Sequence, residues 1–452
     1  MAGSWTLSND GTTFTFNLRQ DMMWSDGTPI TAQDFVWTFN QANNPDNNYP
    51  YISIFNDIES YTAEDDYTLE VTLKNPTCAG ILTAGQITPL PMHIWQDLPW
   101  SDPENNPEIL TPSVVSGPWR LQEWRRDEYA IFSPNQSYFD SVPVVDMLAT
   151  RIVPDPAVQL QLLTSGEIDF APVSAAGYGE ARQASNLSYY EWTPAQAVWY
   201  FIGFNFRRPL LQEDAIRHAL SYAMPRESIA EVVFNGLAAP THSTYSPSNW
   251  VYNPDVPMYD FDIDEANNVL NEAGYVLNAD GRRLDADGNP IQLTIYYPTG
   301  DGQREQIALI AQEQFGELGI EVEVVTLESQ ALFEYLQNSA DEWDMWVGLS
   351  RDTSDPHFMY QAWSEATIPA LNIGAYINPR VEELYAQGNQ TPCDIDSRRV
   401  VYQEIQQHIS EDSAYIFLVA LRGYAFVNNR IVVNPVEPLG VNYRMNEWSV
   451  GQ

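Results

Sequence analysis

The chain has 452 residues, 44% of them hydrophobic, and a formal net charge of −40 from 61 acidic and 21 basic side chains. That length is enough for two or three domains with buried cores, and no run approaches the roughly 18 consecutive apolar residues that span a bilayer. So negative a field repels polyphosphate and anionic lipid, which excludes nucleic acid and acidic membrane surfaces as partners; for the rest it reads as a solvated acidic surface.

In chain order, residues 5–19 hold two β-rich stretches around Asn9, Asp10 and Gly11, with Phe14, Phe16 and Leu18 alternating, and predict a hairpin. The turn WSDGTP at 24–29 precedes Thr31, an N-cap with Asp34 in the capping-box position, so a helix starts there. Residues 57–62 and 67–73 predict paired strands, and six prolines between Pro89 and Pro112 mark an irregular stretch. From 117 to about 205 strands and helices alternate, with a helix over 155–165 closed by Gly166 and an aromatic strand at 199–206. A second alternating stretch follows: a long amphipathic helix or helix pair at 211–235, a helix at 264–274, then strand, helix and strand at 291–297, 303–318 and 320–327. After the apolar strand 345–349, a helix at 396–412 and strands at 415–420 and 425–433 end the chain.

Catalytic and metal-binding patterns are missing. The five histidines (His93, His218, His242, His357 and His408) form no HExxH or ligand pair, and no GxSxG elbow, P-loop or GxGxxG occurs. Asp285–Asn289 (DADGN) begins like a calcium loop, but its twelfth position is Tyr296 instead of Glu, and a hairpin turn is the better reading. Cys78 and Cys393 have no CxxC or zinc spacing and read as two independent buried thiols, with pairing open in an oxidising compartment. Neither enzymatic activity nor a cofactor is expected.

Several segments in order resemble the family 5 solute-binding proteins of ATP-driven importers: Phe14–Arg19 with WSDGTP and Thr31–Phe35, SGPWRL at 116–121, GEIDF at 166–170, FNFRRPL at 204–210 with AIRHALSYA at 215–223, and DTSDPHF at 352–358. The resemblance implies an α/β, two-lobed periplasmic-binding-protein-like fold of type II, cluster C-like, with an additional subdomain. It divides the chain into an accessory subdomain at 1–117, a first lobe at 118–205 and 427–452, and a second lobe at 206–426. Family members carry a secretion signal and several tens of residues before the hairpin, so part of the first lobe is expected to lie outside this chain. The implied function is capture of a peptide-like ligand between hinged lobes and delivery to a membrane permease, by a monomer that is periplasmic or anchored outside the cell. An oligosaccharide-binding member of the family and a carbohydrate-active hydrolase are the alternatives.

By resemblance, Asp352 stands where peptide-binding relatives place the carboxylate for the ligand's α-ammonium, whereas Asp355 reads as a turn cap. Dipeptide-binding relatives carry an arginine in the loop after the strand at 293–297. Here that loop is PTGDGQ at 298–303, and Arg304 falls within a helix, which disfavours a dipeptide clamp. Trp346, Trp363 and Tyr200 lie near predicted strand ends and are candidate cleft residues, because aromatic faces stack on peptide side chains and sugars.

Overall fold

The computed structural model describes every residue except 48, 50, 51, 391, 392, 435–437 and 452. The chain divides into two compact units, one comprising 1–190, 425–436 and 441–452, the other 191–424 and 437–440.

In the first unit the hairpin strands Ala2–Leu7 and Thr13–Leu18 extend into an antiparallel sheet with Thr68–Leu73 and Ile58–Asp65. Alternation puts Phe14, Phe16, Val71 and Tyr61 on one face, where they bury Phe35 and Phe39 of the helix Ala32–Ala42. Each such side chain contributes about 1.5–3 kcal/mol when fully buried. The helix starts at the expected capping box, with the Asp34 carboxylate accepting from Thr31 N at 2.9 Å. Its other oxygen accepts from Met92 N at 3.1 Å, and Thr38 Oγ1 accepts from Leu90 N at 2.9 Å. The proline-rich stretch is thereby tied to the helix. A three-stranded meander (Trp119–Arg125, Tyr129–Pro134, Leu148–Arg151) and the helix Pro156–Ser165 follow. That helix is capped by Asp155 and ends at Gly166, whose φ of 79° suits glycine.

The second unit is built on a six-stranded sheet in the order Ala238–Pro240, Tyr415–Leu421, Val198–Phe204, Met345–Arg351, Gln292–Pro298, Glu321–Leu327. The last three strands run parallel to one another, and the pairings of 198–204 are antiparallel. Both faces are covered, so the strands are continuously apolar. Tyr200, Ile202, Phe204, Met345 and Val347 face one core with Leu220, Leu270 and Phe315 of three helices. Trp199, Phe201, Trp346, Tyr415 and Phe417 face an aromatic core on the other side, with Leu332, Leu384 and Tyr402. On that side Gly203 is paired with Trp346, and Gly348 with Phe201, leaving room for the two rings to meet edge to face at 5.1 Å.

The two units part in sequence between 190 and 191, Val198–Phe204 being hydrogen-bonded on both edges to strands of the second unit, and residues 1–117 and 118–190 fall in one unit. The helix pair expected at 211–235 is present as Asp214–Tyr222 and Arg226–Val232, broken at Pro225 and preceded by the short helix Pro209–Gln212. Cys78 is half-buried and Cys393 exposed, and both are disulfide-bonded, so they are not independent buried thiols.

Candidate functional site

The strand Met345–Arg351 delivers Asp352 to the C-terminal edge of the parallel strands, where open α/β sheets place ligands. Asp352 N donates to Ala197 O at 3.0 Å, and its carboxylate turns inward until the residue is only 1% exposed. There it accepts from Ser246 N, at 3.2 Å to the nearer oxygen, and from Ser246 Oγ, which in turn contacts Ser248 Oγ at 2.8 Å. Among the described residues no arginine, lysine or histidine forms an ion pair with it. Burial raises its pKa above the ordinary carboxylate value, although Ser246, Asn249 and Trp199 favour the charged form. The Trp199 indole nitrogen nevertheless completes no hydrogen bond of ordinary geometry.

A cavity of about 540 Å³ opens within the second unit, lined by Thr353, the chain neighbour of Asp352, and by Asn249, which favours its charged form, but not by Asp352 itself. Thr353 and Ser354, which follow Asp352 in the chain, form one wall; Asn249 and Trp250, which follow its partner Ser246, form another; Thr193 and Gln196 contribute a third. None of these side chains is charged. The volume falls in the range of small-ligand sites, about 300–1,000 Å³. Such a pocket offers hydroxyl and amide groups and one indole face, with a buried anion behind its wall.

Of the four side chains singled out in the sequence, Asp352 lies behind the cavity wall, reaching it only through Thr353 and Asn249, and the three aromatic ones lie in the cores. Trp346 is 5% exposed and packs against Phe201 and Phe333. Trp363, 1% exposed, lies 4.8 Å from Tyr415, while Tyr200 belongs to the opposite core, 4.9 Å from Phe234. Burial pushes the Tyr200 phenol up to about 12, with a smaller effect from Asp301. Arg304 is taken up within its own helix by Asp301, 2.8 Å away, which also caps that helix. Asp355 caps the short helix Pro356–Met359 and is held by Arg398. Sequence reasoning missed Trp250 and Arg398. The serine- and proline-rich context of 246–250 was the available signal for Trp250, whereas nothing local marks Arg398.

The family profile of bacterial extracellular solute-binding proteins, family 5 Middle, matches residues 1–369. The oligopeptide-binding protein AppA of Bacillus subtilis is 28% identical over 445 residues, covering 97% of this chain and 81% of that protein. The dipeptide-binding protein DppE of the same organism is 28% identical, over 55% of this chain and 47% of its own length. Among solved structures, AppA of Bacillus subtilis in complex with a nonapeptide superposes with a TM-score of 0.81 at 26% identity, over 100% of this chain and 90% of that one. A putative peptide-binding AppA from Clostridium difficile gives 0.85 at 26%, over 99% and 91%. With a family match over most of its length and the same fold in these structures, this chain belongs to the family 5 bacterial extracellular solute-binding proteins.

Proposed function

We propose that this protein captures oligopeptides outside the cytoplasmic membrane for an ATP-driven importer, with the Asp352 carboxylate receiving the peptide's α-ammonium. The observation that carries this reading is a carboxylate 1% exposed whose hydrogen-bond donors are all neutral, behind the wall of an uncharged cavity. A buried anion without a cation is costly, and a ligand ammonium repays that cost through charge-assisted hydrogen bonds. Uncharged walls leave the peptide's side chains unselected by charge. Trp346, Trp363 and Tyr200 enter this reading as support for the strands that carry the site. Peptide-binding relatives at 28% and 26% identity support the ligand class, and among the described residues no helix is long and apolar enough to cross a membrane. The protein acts as a monomer and breaks no bond in the ligand.

The test compares Asp352→Asn with wild type on nonapeptides bearing either a free or an acetylated amine. Loss of the buried pair is expected to weaken free-amine peptides by about 2–5 kcal/mol and to leave acetylated ones unchanged. Because folding raises the Asp352 pKa, that carboxylate opposes folding at neutral pH, so the ligand-free variant is expected to be at least as stable as wild type. Equal losses for both peptide sets, or a variant that is markedly less stable without ligand, would show that Asp352 is a structural cap. Mass spectrometry of the recovered solution checks the rest: cleavage products would contradict a purely binding role.

A further inference from the structure

The cavity walls come from loops far apart in sequence, and one helix reaches two of the three. From Ile395–Glu411, Arg398 forks onto Asp355, with Nη1 to Oδ2 at 2.8 Å and Nη2 to Oδ1 at 2.7 Å. The same guanidinium lies 5.6 Å from the centroid of the Trp250 ring. Its Nε donates to Gly388 O at 2.9 Å and Nη2 to Tyr402 Oη at 3.3 Å. The next residue, Arg399, donates from Nε to Trp250 O at 3.0 Å. Successive arginines therefore hold the ring and the carbonyl of Trp250, while the first also fixes the residue that directly follows Thr353 and Ser354. Arg398 is 6% exposed and lines no part of the cavity itself. Its planar fork can meet a carboxylate with one edge and a ring with its face, a combination lysine cannot reproduce.

We infer that Arg398 is a positioning residue for the ligand cavity: it sets the spacing between Trp250 and the Thr353–Ser354 wall, and so governs peptide affinity without touching peptide. This rests on the peptide-binding reading of the same cavity. A buried ion pair that only held the fold together would change stability and leave the shape of the folded site alone.

The experiment uses the full chain labelled with 5-fluorotryptophan, the Trp250 signal being assigned by its loss in Trp250→Phe. In folded Arg398→Met, the Trp250 fluorine resonance is expected to shift or broaden without ligand. Affinity for a pool of free-amine nonapeptides, read by equilibrium dialysis, is expected to fall by about tenfold or more, with Arg398→Lys intermediate. In a Trp250→Ala background the same substitution is expected to change affinity by less than about threefold, because its route to the ligand is gone. If Arg398→Met does not fold, Arg398→Lys and Asp355→Asn supply the comparison. An unchanged Trp250 resonance in a folded variant overturns the inference, as does an equal loss of affinity in the Trp250→Ala background. If wild type takes up no nonapeptide, the peptide reading falls, and the ligand-free fluorine spectrum still decides the role of Arg398.

Discussion

Replacing Arg226 by methionine probes a buried polar contact of the second unit. Arg226 is 2% exposed, and its guanidinium is satisfied by main-chain carbonyls: Phe417 O and Tyr259 O at 2.6 Å, Ser221 O at 3.0 Å and Met224 O at 3.4 Å. Burial pulls its pKa down to about 10, so it is still charged at neutral pH. Methionine fills most of the volume and removes the desolvated charge, but it strands the two carbonyls that accept the shortest bonds. At about 1–3 kcal/mol for each orphaned group, less the relief of desolvation, a net loss of about 2–4 kcal/mol is expected in urea denaturation. A second effect separates this account from simple loss of packing. The His242 imidazole has a pKa lowered to about 3, first by burial and then by the Arg226 charge, and its Nδ1 accepts from Tyr259 N at 3.3 Å. In Arg226→Met the His242 titration followed by NMR should therefore move upward while remaining below the ordinary value. A stability loss under about 1 kcal/mol together with an unmoved His242 titration would refute the reasoning.

Two further outcomes follow from the same structure. The His242 pKa is lower in the folded chain than its unfolded value of about 6.5, so the stability it confers is complete above that value and is lost as pH falls towards 3; about 2 kcal/mol should be gone by pH 5. The Asp260 carboxylate 3.8 Å away is 76% exposed and offsets little of this through solvent. Urea midpoints at pH 7 and pH 5 check it, and an identical pH response in His242→Gln would contradict it. In Gly348→Ala the added carbon would meet Trp346 at 2.8 Å and Phe201 closer still, so a loss of about 1–3 kcal/mol is expected in thermal denaturation. Phe201→Leu in the same chain should recover part of that loss, and strict additivity of the two substitutions would count against the contact.

Local signals in the sequence were read well where the chemistry was local. The Thr31 and Asp34 capping box, the helix end at Gly166, and the Asp355 turn all depend on residues within a few positions of one another. The aromatic and apolar runs at 199–206 and 345–349 announced buried strands, but a continuous apolar run cannot say which face meets a ligand. The indoles of Trp346 and Trp363 accordingly turned out to be packed among other rings. The unit to which 198–204 belongs was not legible locally, because strand partners more than a hundred residues away decide it. Arg398 was invisible for the same reason: its carboxylate partner lies 43 residues upstream, and its ring partner belongs to yet another loop.

The strand Val198–Phe204 carries a consequence for the order of events during synthesis. Both of its sheet neighbours, Met345–Arg351 and Tyr415–Leu421, emerge long after it, and its alternate side chains feed cores on opposite faces. Local helices can form early, but neither core closes until the last of these strands is made, and contacts of such long range slow folding. Until then, the aromatic segment in the middle of the second unit's sheet does not have both of the strands that pair with it.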